Sequence, residues 1–107
     1  MRTRTSIDFV GINQAALAAL PALLRRWLPR GRPQGDEWVA CNPRRNDRTR
    51  GSFKINMRTG RWADFATGDR GGDVISLAAY LFDLSQTQAA GCVARMIGID
   101  PEEARHG

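Results

Sequence analysis

Apolar residues recur at helical intervals in three stretches of this chain and alternate with polar ones in the stretch between. Leu17, Leu20, Leu24, Trp27 and Leu28 are spaced by three, four, three and one, which predicts a helix within residues 12–28. Pro21 interrupts it. A proline inside a helix removes a hydrogen bond and clashes with the preceding turn, so the segment is either kinked there or split, with Pro21 opening a second short helix. Pro29-Arg-Gly-Arg-Pro-Gln-Gly35 is rich in helix breakers and reads as a loop. Three strands are expected next. Glu37-Trp-Val-Ala-Cys41 is a short apolar run. Ser52-Phe-Lys-Ile-Asn-Met57 sets Phe53, Ile55 and Met57 on one face and Lys54 on the other, and Arg61-Trp-Ala-Asp-Phe65 alternates more weakly. Arg58-Thr-Gly60 has the length and the glycine of a hairpin turn.

Gly68-Asp-Arg-Gly-Gly72 breaks the chain again, and Asp73 is placed to cap a helix whose Val74, Ile75, Leu77, Ala78, Leu81 and Phe82 form a broad apolar stripe. Ser85 and Gln88 make a capping box for the next helix, with Ala89, Cys92, Val93, Met96 and Ile97 at the same spacing. Gly98 ends it, and Asp100-Pro-Glu-Glu103 offers the start of a terminal turn. The expected class is α+β: an N-terminal helix, a small three-stranded antiparallel sheet and two C-terminal helices packed on it. One domain over residues 1–107 is expected, with a helical segment and loop in 1–35, a core in 36–98 and a tail in 99–107. Leu77 and Val93 are expected in its interior.

Composition narrows the class. The 107 residues, 42% hydrophobic and 25% charged, allow one compact core. The longest apolar candidate, Ala15 to Leu28, is broken by Pro21, Arg25 and Arg26 and falls short of the ~18 residues of a membrane span. Met1-Arg-Thr-Arg-Thr leads into no signal-type apolar segment, so a cytoplasmic location without a membrane partner is expected. The net charge of +5 is unevenly spread: residues 25–70 hold twelve cations against five acids, and residues 71–107 hold two against five. Fifteen of the sixteen cations are arginine, the side chain that pairs bidentately with phosphate and stacks on bases. A polyanion-binding surface is one reading; an arginine-rich coding bias on a solvated face is the other.

Catalytic chemistry is hard to place. The only histidine, His106, is next to last in the sequence, and chain ends make poor positions for the fixed base that a Ser, Cys or Thr nucleophile needs. Asp64, Asp69 and Asp73 offer a carboxylate cluster, but Asp73 has a sufficient role as a cap. Cys41 and Cys92, on a predicted strand and an apolar helix face, read as small core residues. The glycines of 68–72 fit a structural turn better than an anion site, because Asp69 and Asp73 flank them. The strand region says more. Arg44, Arg45, Arg48, Lys54, Arg58, Arg61 and Arg70 are interleaved with Phe53, Trp62 and Phe65, as suits single-stranded nucleic acid, where cations follow the backbone and exposed rings stack bases. Phe53 alternates with core positions. For Trp62 and Phe65 the stacking role and the core role stand level.

From Glu37 to about Ile97 the chain resembles the small zinc-ribbon domain at the N-terminus of bacterial and phage DNA primases, above all the metal-free version that opens primase-helicases of mobile elements. Cys41-Asn-Pro-Arg44 stands at the first knuckle, Gly51-Ser-Phe-Lys-Ile-Asn56 at the Ser-Phe strand, Trp62-Ala-Asp-Phe-Ala-Thr67 at the second knuckle, and Gly71-Gly-Asp-Val-Ile-Ser-Leu77 at the turn and helix. Of the four ligand positions only Cys41 keeps a ligand; Arg44, Asp64 and Thr67 replace the others, and one thiolate builds no tetrahedral site. The resemblance therefore implies a zinc-ribbon-like sheet without zinc or other cofactor, its space filled by Trp38, Trp62 and Phe65. It also implies a non-catalytic module that binds template single-stranded DNA, or RNA, in plasmid or phage replication. The alternative is a mobile-element protein that grips a replication or DNA-transfer protein as inhibitor or regulator. A small hydrolase built on the three aspartates is the remaining reading.

Overall fold

The computed structural model describes residues 6–44 and 51–101. Two short helices open it, α1 (Phe9–Ala18) and α2 (Leu20–Trp27). Asp8 caps α1 by accepting from the Gly11 N–H at 3.0 Å, and Pro21 stands in the first turn of α2. The proline thus splits the segment, because its missing N–H costs nothing where a helix begins.

The sheet has five antiparallel strands in sequence order: β1 (Arg32–Gln34), β2 (Glu37–Ala40), β3 (Phe53–Asn56), β4 (Trp62–Asp64) and β5 (Arg70–Gly71). The three expected strands are β2, β3 and β4. The two outer ones correct the expectation of a three-stranded sheet and come from segments read as breaks. A tight turn at Gly35, with φ +64°, folds β1 back onto β2, and Pro33 is tolerated because β1 is an edge. Asn56 closes the hairpin between β3 and β4, its Oδ1 accepting from the N–H groups of Arg58 and Thr59 at 2.9 and 3.0 Å.

Helices α3 (Val74–Phe82) and α4 (Gln86–Met96) follow; α4 opens with the expected capping box of Ser85 and Gln88, and at α3 the expected cap Asp73 is joined by Ser76 in a second box. Asn13 of α1 adds a cap from outside, its Oδ1 accepting from the Ile75 N–H at 3.0 Å. Helices α1, α3 and α4 pack on one another, and their apolar sides join one sheet face in a single core with Trp38, Phe53, Ile55 and Trp62. Leu77 and Val93 are fully buried, whereas Cys41 and Cys92 are only half-buried.

Two tryptophans lie against glycines. The Trp38 indole packs on Gly31 and donates to the Leu28 carbonyl at 3.1 Å; the Trp62 indole packs on Gly71 and donates to Ser76 Oγ at 2.9 Å. A methyl group at either glycine would overlap the ring, so each indole is held flat with its N–H satisfied. Among the described residues, no helix is long and apolar enough to cross a membrane.

Candidate functional site

The sheet face turned away from the helices carries the charge. Register aligns Arg32, Val39, Lys54, Ala63 and Arg70 in one row across all five strands. At ~4.8 Å between neighbouring strands the row runs ~19 Å, with a cation on the first, third and fifth. Val39 is 6% exposed yet stands outside the core cluster, flanked in register by the aliphatic stems of Arg32 and Lys54.

A second row lies beside it. Gln34, Glu37 and Asn56 are in register, and the Asn56 N–H donates to the Arg61 carbonyl at 2.7 Å, which brings Arg61 to its end. On the other side of the cation row the chain runs past β4 to Phe65, whose N–H donates to the Ser52 carbonyl at 2.8 Å. The Phe65 ring is 72% exposed, and Lys54 Nζ lies 5.8 Å from its centroid, within cation–π range. An open cleft of about 390 Å³ lies on this face, lined by Glu37, Lys54, Asn56, Arg61, Phe65 and Arg70, with the small Ala63 among them. No ion pair joins Arg32, Glu37, Lys54, Arg61 or Arg70 to another described residue.

The residues singled out from sequence therefore divide. Lys54, Arg61, Phe65 and Arg70 meet on the open face. Arg58 is exposed at the hairpin, 3.7 Å from Asp36. Arg45 and Arg48 lie outside the described residues. Trp62 is 6% exposed, with its ring 4.6 Å from Tyr80 and 6.2 Å from Phe53, so the core role holds for it and it presents no free face to a base. Phe65 is the reverse: expected also as a filler of the ribbon interior, it is outside.

Arg44 is drawn elsewhere. Its guanidinium donates to the Tyr80 carbonyl at 3.1 Å, lies 3.4 Å from Asp83 and sits over the Tyr80 ring at 5.4 Å, which ties it to the end of α3. Beneath it is a polar network that the sequence did not announce, buried at Asn42 and Asp64 and reaching the surface at Asp69. Asn42 Nδ2 donates to Asp64 Oδ2 and to Tyr80 Oη, both at 2.8 Å, and the Tyr80 hydroxyl donates to Asp69 at 2.7 Å. Burial raises the Tyr80 pKa above the ordinary phenol value; the bond from Asn42 opposes this, and the Asp69 carboxylate adds to it.

At the positions compared with zinc ligands, Asp64 is buried and also accepts from the Ala66 N–H at 2.9 Å, while Thr67 Oγ1 accepts from the Asp69 N–H at 3.2 Å. Hydrogen bonds, rather than the expected apolar packing alone, occupy this corner. Asp73 is engaged as the cap of α3, and among the described residues no three His, Cys, Asp or Glu side chains are grouped to hold a metal ion. Arg32, Glu37 and Asn56 are the site members that sequence reading missed. Gln34-Gly-Asp-Glu37, a two-residue turn between extended stretches, was the signal that would have placed Arg32 on a strand. No family model matches the chain, and no curated protein matches it.

Proposed function

We propose that this chain is a nucleic-acid-binding module that takes a single strand of DNA across the open face of its sheet and performs no catalytic step of its own. The observation that carries the reading is the cross-strand row Arg32–Lys54–Arg70 beside the exposed Phe65, a file of cations without described ion-pair partners next to a bare ring. A flexible polyanion complements that arrangement: phosphates follow the cations while a base stacks on the ring. A role in replication of a plasmid or phage, as a template-binding domain like that of primases, is the wider form of the proposal. It rests on the resemblance at Trp62-Ala-Asp-Phe-Ala-Thr-Gly-Asp-Arg-Gly-Gly-Asp73.

Fluorescence anisotropy with a labelled single-stranded oligonucleotide across a salt series tests it. Lys54→Ala and Arg70→Ala should each lower the salt slope by about 0.7, and Phe65→Ala should weaken binding by ~1–3 kcal/mol with little change of slope. Arg95→Ala, on α4, should bind like wild type. Binding lost in Arg95→Ala but kept in Lys54→Ala would move the site off the sheet. An absence of binding at every salt concentration would favour an acidic protein partner for the same face.

A further inference from the structure

One carboxylate stands among the cations of the open cleft, and it pairs with no described residue. Glu37 is half-buried on β2 and lies directly across from Asn56. The Asn56 Oδ1 is already engaged by two backbone N–H groups, which leaves its Nδ2 as the free donor. Arg61 lies at the end of the same row and Lys54 in the next one. A negative charge beside a phosphate-binding row weakens attraction for every sequence alike, since it repels the backbone. Its effect turns favourable only where a ligand brings hydrogen-bond donors to it.

We infer that the cleft is a base subsite selective for guanine, with Glu37 as the residue that sets the choice; this rests on the single-strand reading above. Guanine offers two adjacent donors, N1–H and the N2 amino group, which match the two oxygens of a carboxylate. Its O6 and N7 accept from cationic side chains, here Lys54 or Arg61. Thymine turns a single N3–H toward a carboxylate and flanks it with two carbonyl oxygens that the charge repels. Cytosine and adenine each set an amino group beside a ring nitrogen that can only accept. Guanine alone satisfies both signs of the cleft. The small side chain of Ala63 leaves the room, and about 390 Å³ is ample for a purine.

The test uses the full chain and labelled oligothymidylates that carry at one central position dG, dA, dC, dT or deoxyinosine, which lacks the N2 amino group. The dG strand should bind about tenfold tighter than the dT strand, the size of one good bidentate contact, and deoxyinosine should lose most of that advantage. Glu37→Gln should bring all five strands within about twofold of one another while affinity for the dT strand stays the same or rises, because a negative charge has gone. A retained melting midpoint shows that the variant is folded. Equal affinity of the wild type for all five strands, or a preference for dG that survives Glu37→Gln, overturns the inference and leaves single-strand binding standing. No binding of any strand at low salt overturns both.

Discussion

Trp62 and Phe65 are three positions apart, and an odd separation along an extended strand sends two side chains to opposite faces. Although β4 ends at Asp64, the alternation carries on to Phe65, and one ring is inside and the other outside. What alternation leaves open is which, and the neighbours decide: Trp62 finds Gly71 to lie against and Ser76 to receive its N–H, while Phe65 lies past the end of β4, beside Lys54. The two should separate cleanly on substitution. Phe65→Ala should change folding stability by less than about 0.5 kcal/mol, as exposed positions do. Trp62→Ala should lose ~3–5 kcal/mol, in the range of large-to-small changes in a core. Urea unfolding measures both, and similar losses for the two would mean that Phe65 is packed after all.

Among the elements, the helices were readable and the sheet only in part. Helices α3 and α4 announce themselves through apolar stripes, the Asp73 cap and the Ser85–Gln88 capping box, which are local signals that packing did not override. Asp73→Ala should cost ~1 kcal/mol through the lost cap, and Leu77→Ala ~2–5 kcal/mol through an unfilled cavity, each lowering the denaturant midpoint with an unchanged slope. A loss within error at Leu77 would contradict its full burial. Strands β1 and β5, of three and two residues, are too short to show a period, and glycine and proline argue against them. They are defined by pairing with the outer backbone groups of β2 and β4, a tertiary contact that no local pattern contains. The open-face site inherits the same limit: Lys54, Arg61, Phe65 and Arg70 were found by composition, but their row, with Arg32 in it and Arg44 outside it, exists only in the register.

At the scale of the whole molecule, the Asn42–Asp64–Tyr80–Asp69 network joins the end of β2, β4, the approach to β5 and α3. Because the Tyr80 pKa is raised in the folded protein, the unfolded chain gives up this proton first as pH rises. The stability that the network contributes is thus complete below about pH 10, where a free tyrosine ionises, and is lost as pH climbs through the higher folded value. Tyr80→Phe should lower stability at neutral pH by about 1 kcal/mol and flatten the decline above pH 10. A decline as steep in Tyr80→Phe as in wild type would assign it to other groups.

Pro33 gives the sheet a last property. A bare sheet face flanked by free edges invites neighbouring copies to add strands and grow into fibrils or amorphous aggregates. Here one border strand contains a residue with no N–H to offer, and the other is two residues long. Neither edge can template a newcomer, and like charges on the flat face keep copies apart. The protein should therefore stay monodisperse when concentrated, and Pro33→Val, which restores a donor at the border, should be the change that makes it self-associate.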